Sequence, residues 1–491
     1  MRAGVEVPEG CTVQAYQFAL DPTPTQQRAM RSHAGARLFA FNTMLVVVKA
    51  NLDQREAEKS YGLSGDELTP PLGWSMISLR REWNRIKHTV AVRQDGTPWW
   101  QENSKEAYAC GCRALADALQ NWSASHHGTR KGPRMGFPRF KSKRRAAKKF
   151  TFTTGAIRLE PDRKHVTLPR LGRIKTHEST RKLARRVEAG TARITRATVR
   201  FEKGRWLVAF TCMVQRQIGC RPAHVPAGAQ VVGIDVGVKD LIVVATPDGT
   251  QLVREPAPTD LTRAQLTLRA LQRKAARQVG PWDGQHRRTQ EPSAGWQRTQ
   301  RQIARAHARV ANLRTDRLHK LSTGLTRTHQ VIGVETLAVK NMIAAGGARK
   351  RGLNRAIANA CLGRLLRQVG YKATWYGAHL VKADRWHPSS KTCSSCGAVK
   401  AKLGLHERSY QCEHCGLVID RDHNAAVNLA RHALANSMGV IAPGGSGPLD
   451  TGGADQKTTP RAWQVATETG TRAEDSPAAA GGTATTQEVA A

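Results

Sequence analysis

Two CxxC pairs constrain this chain more than any other feature. Cys393 and Cys396 form the first and Cys412 and Cys415 the second, with fifteen residues between them. That spacing suits a four-thiolate zinc site. Four protein ligands close the tetrahedron, so the zinc is expected to be structural rather than catalytic. Gly397 and Gly416 follow the two pairs and permit the tight turns that aim backbone N–H groups at sulfur. The other cysteines, Cys11, Cys110, Cys112, Cys212, Cys220 and Cys361, lack ligand spacing. Seven residues beyond Cys415 comes Asp422, opening the helix-like run HNAAVNLARHALA. The expected metal ribbon therefore ends almost on top of an acidic residue.

Charge says what such a ribbon serves. The 491 residues hold 77 Lys+Arg against 38 Asp+Glu, a net +39. That excess argues against an ordinary globular enzyme and for a polyanion partner, because each cation that neutralises a phosphate releases counterions. The length leaves room for two to four domains, and a 40% hydrophobic content is enough for real cores. The N-terminal MRAGVEVPEG has no apolar run, so no secretory leader is expected. No stretch reaches eighteen uninterrupted apolar residues, so no membrane span is expected. A cytoplasmic chain with reduced thiols follows, which sets a disulfide reading of the ribbon aside.

CTVQAYQFAL at 11–20 alternates like a strand, and Asp21-Pro22 breaks it. Thr25 is read as the cap of a helix from 24 to about 57, and 102–126 reads as another. Residues 128–149 form a basic run with Phe137, Phe140 and Phe150 interleaved or adjacent, a pattern suited to backbone contact plus base stacking. Short strands follow, ending in a hairpin that turns at Lys203-Gly204. With the N-terminal strand they predict a small β-barrel, the helices being an insertion in it. A Pro/Gly linker at 221–230 precedes the buried-type strand VVGID, after which LIVVAT returns antiparallel to a turn at Pro247-Asp248-Gly249. Residues 257–279 and 296–325 read as helices, the second with a basic stripe of Arg298, Arg301, Arg305 and Arg309. Beyond about residue 440 the composition shifts to Gly, Pro, Ala and Thr with an acidic excess, and a disordered tail is expected.

Three carboxylates stand at element ends: Asp235 after VVGI, Glu335 after VIGV, and Asp422 after the ribbon. Phosphodiester hydrolysis needs an activated water and charge neutralisation on the leaving oxygen. Two Mg²⁺ ions supply both, and a few carboxylates hold them. Each acid taken alone also fits a plainer role: a turn at GIDVG, a helix N-cap at Asp422. Asp420 is read as a capping or supporting acid rather than a ligand. Gly233 and Gly237 leave room for a backbone or a phosphate beside Asp235.

GIDVGVKDLIVVATPDG, GVETLAVKNM, HPSSKTCSSCGAVK and YQCEHCGLVIDRDHNAAVNLA together resemble the RuvC-like nuclease core of the TnpB/OrfB proteins of insertion sequences, relatives of compact type V CRISPR effectors. Upstream, QFALDPTPTQQ, FPRFKSKRR and HVTLPRLGRI extend the resemblance over roughly residues 12–432. His387 stands where that family commonly has a tyrosine. The resemblance implies an α+β multidomain chain. Its parts are an RNase H-like (RuvC-like) α/β nuclease domain with an inserted four-cysteine zinc ribbon, and an N-terminal β-barrel wedge domain with an inserted helical recognition lobe. The implied boundaries are wedge 1–22, recognition lobe 23–127, wedge 128–225, nuclease 226–390, ribbon 391–417, nuclease 418–440 and tail 441–491.

The implied activity is an RNA-guided, Mg²⁺-dependent DNA endonuclease, transposon-encoded or a compact CRISPR effector. Asp235, Glu335 and Asp422 are then the catalytic carboxylates that bind two Mg²⁺ (or Mn²⁺), and Cys393, Cys396, Cys412 and Cys415 bind zinc. The partners are a guide RNA and a double-stranded DNA target, and the chain acts as a monomer or homodimer. A DNA-joining transposase and a non-catalytic zinc-ribbon regulator are the competing functions. The first lacks a persuasive His-hydrophobic-His pair with a partner tyrosine; the second leaves the three acids without a purpose.

Overall fold

The alternation at the N-terminus becomes the strand that ties the first sheet together. In the computed structural model, which describes residues 7–143, 146–216, 230–257, 259–283, 285–286, 288–344, 347–404 and 406–437, β1 is Cys11–Asp21. The helices α1 (Pro24–Ser60), α2 (Met76–Val90) and α3 (Lys105–His126) follow it. Next come β2 (Lys149–Phe152), β3 (Arg158–Leu159), β4 (His165–Leu168), β5 (Gly172–Thr176), α4 (Arg181–Glu188), β6 (Ala192–Glu202) and β7 (Arg205–Gln215). The sheet order is β2-β6-β7-β1-β5-β4-β3. The β6–β7 hairpin turns at Lys203 and Gly204, both at positive φ (52° and 81°), as a two-residue turn between twisted strands requires.

β1 serves two wings. Residues Cys11 to Ala19 pair with β7, whereas Leu20 and Asp21 pair with β5. Both wings face one core, in which Phe150, Phe152, Ile174, Val208 and Phe210 meet Met30 of α1 and Leu183 of α4. Among the described residues no ladder joins β2 to β3. The expected barrel is thus realised as an open, bent ladder around a shared core, its end strands only four and two residues long.

The three helices inserted after β1 bury a separate core of Phe41, Met44, Leu79, Trp83, Leu115 and Leu119. The α1 cap is Thr23, with Gln26 completing a capping box, two residues earlier than the sequence suggests. Proline favours the first helical position, so Pro24 pushes the cap to the residue before it. α2 escapes sequence reading because it buries only Leu79 and Trp83, too narrow a stripe to stand out. The linker at 221–230, apart from Gln230, and the tail at 441–491 lie outside the described residues.

A second sheet, of order β10-β9-β8-β13-β14, follows. Its strands are β8 (Val231–Asp235), β9 (Asp240–Ala245), β10 (Gln251–Pro256), β13 (Val331–Val334) and β14 (His379–Lys382). Between β10 and β13 lie α5 (Thr259–Ala276), a two-residue hairpin of β11 (Trp282–Asp283) with β12 (Arg288–Thr289), and α6 (Ala294–Thr328). Between β13 and β14 lie α7 (Val339–Met342), α8 (Gly347–Ala360) and α9 (Leu362–Tyr376). The chain ends, as far as it is described, with β15 (Ser409–Gln411), β16 (Val418–Asp420) and α10 (Arg421–Ala435).

β8, β13 and β14 are parallel, and β9 and β10 antiparallel. Side chains alternate across this sheet as the pleat demands. Val232, Ile234, Ile332 and Val334 face Leu318, Leu325, Leu365 and Val369 of α6 and α9. Val231 and Val331 share the other face with Ala433 of α10.

On that second face two glycines matter. Gly233 and Gly333 stand opposite each other on β8 and β13. A Cβ on Gly233 falls 2.0 Å from the Ala426 carbonyl oxygen, and one on Gly333 falls 2.3 Å from that of Leu429. The room beside Asp235 is therefore filled by the backbone of α10. Gly333→Val forces the helix off the sheet, and we expect it to cost about 3 kcal/mol, read as a lower urea midpoint.

Candidate metal and carboxylate centre

The parallel register sets the site. Ile234 lies opposite Val334, so the next residues, Asp235 and Glu335, leave adjacent strands side by side at their carboxyl ends. Ligands in sheets of this kind gather at those ends. α10, packed on the same strands, brings Asp422 into its own first turn, where the helix dipole favours negative charge. Asp235, Glu335 and Asp422 are all half-buried.

Their electrostatics are those of a crowded site. Burial, then the charges of Glu335 and Asp422, lift the Asp235 carboxyl well above the usual range. Burial, then Asp420, lifts Asp422, partly offset by Arg408, Arg421 and Arg254. Among the described residues no ion pair holds any of the three. Asp420 differs. It caps α10 by accepting from the Asp422 and His423 N–H groups at 3.1 and 3.0 Å. Arg254 donates to it at 2.7 Å and to Asp240 at 2.7 Å. Burial raises the Asp420 carboxyl, but Arg254 and the two N–H groups outweigh that and hold it low. Of the two neighbouring acids, one is neutralised and structural while the other is left available.

The four cysteines meet as the spacing predicts. Their sulfurs all lie within 4.8 Å of one another, with Cys393–Cys415 and Cys396–Cys412 at 3.6 Å. A tetrahedron with Zn–S of about 2.3 Å has edges of about 3.8 Å, so the set fits zinc. Gly397 and Gly416 have φ of 79° and 75°, and their N–H groups close the knuckles by donating to the Cys393 and Cys412 carbonyl oxygens at 3.0 and 3.1 Å. The N–H groups of Cys415 and His414 bring the Cys412 thiol down to about 6, toward the thiolate that a metal needs. Among the described residues only these cysteines converge so closely; the three acids are electrostatic neighbours at wider spacing. Oxygen donors of this kind suit a hard cation such as Mg²⁺.

Two asparagines that sequence reasoning missed join the centres. Asn424 accepts from the Ser394 N–H at 2.9 Å and donates to the Thr392 carbonyl at 2.7 Å. Asn428 donates to the Ser389 and Thr392 carbonyls, both at 2.7 Å. The visible signal is two amides at i, i+4 on a helix that is otherwise apolar on that face. Ser389, also missed, is buried and donates its hydroxyl to Glu335. Ribbon and acids are thus bolted to one helix. Asn424→Ala strands the buried Ser394 N–H and takes one of two donors from the Thr392 carbonyl, so we expect a loss of about 2 kcal/mol, measured by urea denaturation.

The basic features divide. Arg298, Arg301, Arg305 and Arg309 are all exposed along α6. Of the aromatics in or beside the basic run, Phe150 is buried in the sheet core and Phe137 packs edge-on to Trp122 at 5.0 Å. Only Phe140, 55% exposed, remains free to stack. The two others serve the core because alternation and helix packing claimed them. No described helix is long and apolar enough to cross a membrane.

Comparison with known proteins names the family. Family models match at residues 12–57 ("Helix-turn-helix domain", OrfB/IS605 type), 210–345 ("Probable transposase", OrfB/IS605) and 363–429 ("Cas12f1-like, TNB domain"). The first segment is here strand β1 and the single helix α1. A Mycobacterium tuberculosis protein named "Putative RNA-guided DNA endonuclease" is 40% identical over 94% of both chains. The Escherichia coli "Putative RNA-guided DNA endonuclease InsQ" is 29% identical over 88% of this chain and 94% of its own. A Cas12f1–sgRNA–target DNA complex is similar at TM-score 0.30 and 14% identity, over 85% of this chain and 99% of that one. This chain belongs to the TnpB/OrfB family.

Proposed function

We propose that this protein is an RNA-guided DNA endonuclease of the insertion-sequence type, cutting beside a short flanking motif with a single RuvC-like site. One observation carries the reading: Asp235 and Glu335 directly follow the register pair Ile234–Val334 of two parallel strands, with Asp422 presented by the helix packed on them, and among the described residues no ion pair holds any of the three. A like-charged, half-buried trio in a chain of net +39 calls for metal and phosphate, not for a structural role.

Asp235, Glu335 and Asp422 hold the divalent cations, Mg²⁺ or Mn²⁺. When bound there, such ions supply an activated water and neutralise the leaving oxygen. Ser389 orients Glu335, Asp420 with Arg254 fixes the start of α10, and the zinc ribbon holds that helix in place. The basic body binds guide RNA and DNA backbones, while base pairing reads sequence. The stretches 226–390 and 418–440, which carry the second sheet among their described residues, are the nuclease domain, interrupted by the ribbon at 391–417. The stretches 1–22 and 128–225, which carry the first sheet among their described residues, are the wedge, and 23–127 is the recognition lobe.

The test is a plasmid cleavage assay with the protein co-expressed with a guide RNA. Guide-matched DNA should be cut in Mg²⁺ and spared in EDTA, and a changed guide should redirect the cut. Cutting that ignores the guide, or persists in EDTA, contradicts the proposal.

A further inference from the structure

The loop between β14 and the ribbon, Asp384 to Ser389, carries an indole that the fold does not use. Trp386 is 79% exposed, yet its backbone is held on both sides. Before it, the Ala383 N–H donates to Val334 at 2.9 Å and the Ala383 carbonyl accepts from Thr336 Oγ1 at 2.8 Å. The Trp386 N–H itself donates to Asp384 Oδ1 at 2.8 Å. After it, Ser389 donates to Glu335 and accepts from Asn428. The anchors are the residues flanking Glu335 and Glu335 itself. Three residues of chain reach at most about 11 Å, so the Trp386 backbone lies within that distance of the serine bound to Glu335.

The indole also has a charged companion. The Arg385 guanidinium sits 5.0 Å from the Trp386 ring centroid, is exposed and takes part in no described ion pair. A guanidinium near one face and open solvent over the rest leaves a flat apolar surface beside a free cation. Single-stranded nucleic acid is bound by that combination, a π-face for a base and a cation for its phosphate. A base inside a duplex has both faces covered by its neighbours, so the occupant must be unpaired.

We propose that Arg385 and Trp386 form a subsite that stacks one unpaired base of the DNA strand entering the carboxylate cluster, with Trp386 as a positioning residue. The proposal rests on the nuclease reading. Stacking a base on an aromatic side chain contributes about 1–3 kcal/mol, so its loss should slow cutting about fivefold to 150-fold.

The test uses the guided complex and target DNA carrying 5-iodo-2′-deoxyuridine near the cut, irradiated and mapped by mass spectrometry. The expected result is a crosslink at Trp386, slowed cutting at saturating DNA by Trp386→Ala, and recovery in Trp386→Phe, with RNA retention and melting temperature unchanged. Wild-type cutting by Trp386→Ala, or a crosslink found only elsewhere, overturns the proposal. A wild-type complex that leaves guide-matched DNA intact sinks the nuclease reading instead, and the crosslink then decides the subsite by itself.

Discussion

Asp235→Asn is expected to stop DNA cleavage, slowing it by about three orders of magnitude or more, while the RNA stays bound. On the proposed reading, what is lost is a metal ligand at the end of β8, not a phosphate contact. The same change should make the cation-free protein more stable. Burial raises the Asp235 carboxyl above its usual range, with Glu335 and Asp422 adding to the shift. A raised folded-state pKa means that the ionised form is the costly one. Below about pH 4, near the unfolded aspartate value, both states are protonated and variant and wild type melt alike. As pH rises toward the raised value, the wild type loses stability relative to the variant, and above it the gap is constant. Added Mg²⁺ should then raise the melting temperature of the wild type more than that of the variant. Differential scanning fluorimetry across pH, with and without Mg²⁺, reads both effects. A variant that cuts at the wild-type rate would remove Asp235 from the mechanism.

Removing zinc is the second large effect. Structural zinc contributes about 10 kcal/mol or more to small ribbons, against a net stability of about 5–15 kcal/mol for a whole domain. Among the described residues the ribbon buries Cys393, Tyr410 and Cys412, with a few half-buried apolar side chains packed on them, too little to hold it without metal. Cys412→Ser should therefore release the ribbon. The loss spreads through Asn424 and Asn428, which bind α10 to the ribbon backbone, and through Asp420, which joins β16 to the helix cap. Asp422 then loses its fixed position, so cleavage falls together with the melting temperature and with zinc content by metal analysis. A variant that has lost its zinc but keeps full cleavage would show that the ribbon does not position the acid.

The pieces legible in the sequence are those whose signal is local. CxxC spacing names the four sulfurs, and acids at element ends name the candidates Asp235, Glu335 and Asp422. The antiparallel return at LIVVAT and the Lys203-Gly204 turn are written in period-two alternation and turn chemistry. What stayed hidden depends on partners far along the chain. Gly233 looks like space for a ligand until α10, nearly two hundred residues later, proves to occupy it. Ser389 is an ordinary serine until the fold sets its hydroxyl on Glu335. Arg254 separates the roles of Asp420 and Asp422, but only because β10 lies beside β9 and carries it to the α10 cap. Phe150 misleads for the converse reason: its charged neighbours suggest a nucleic-acid surface, while the pleat of β2 turns it inward.

The central claim is that an RNA directs this carboxylate site. The most direct measurement is to express the protein with its native flanking DNA, purify it and sequence the RNA that comes with it. The predicted result is one discrete RNA with a constant scaffold and a guide-like 3′ segment. A heterogeneous smear, or no RNA at all, would contradict guided cleavage and leave a basic metal-dependent nuclease or a nucleic-acid binder.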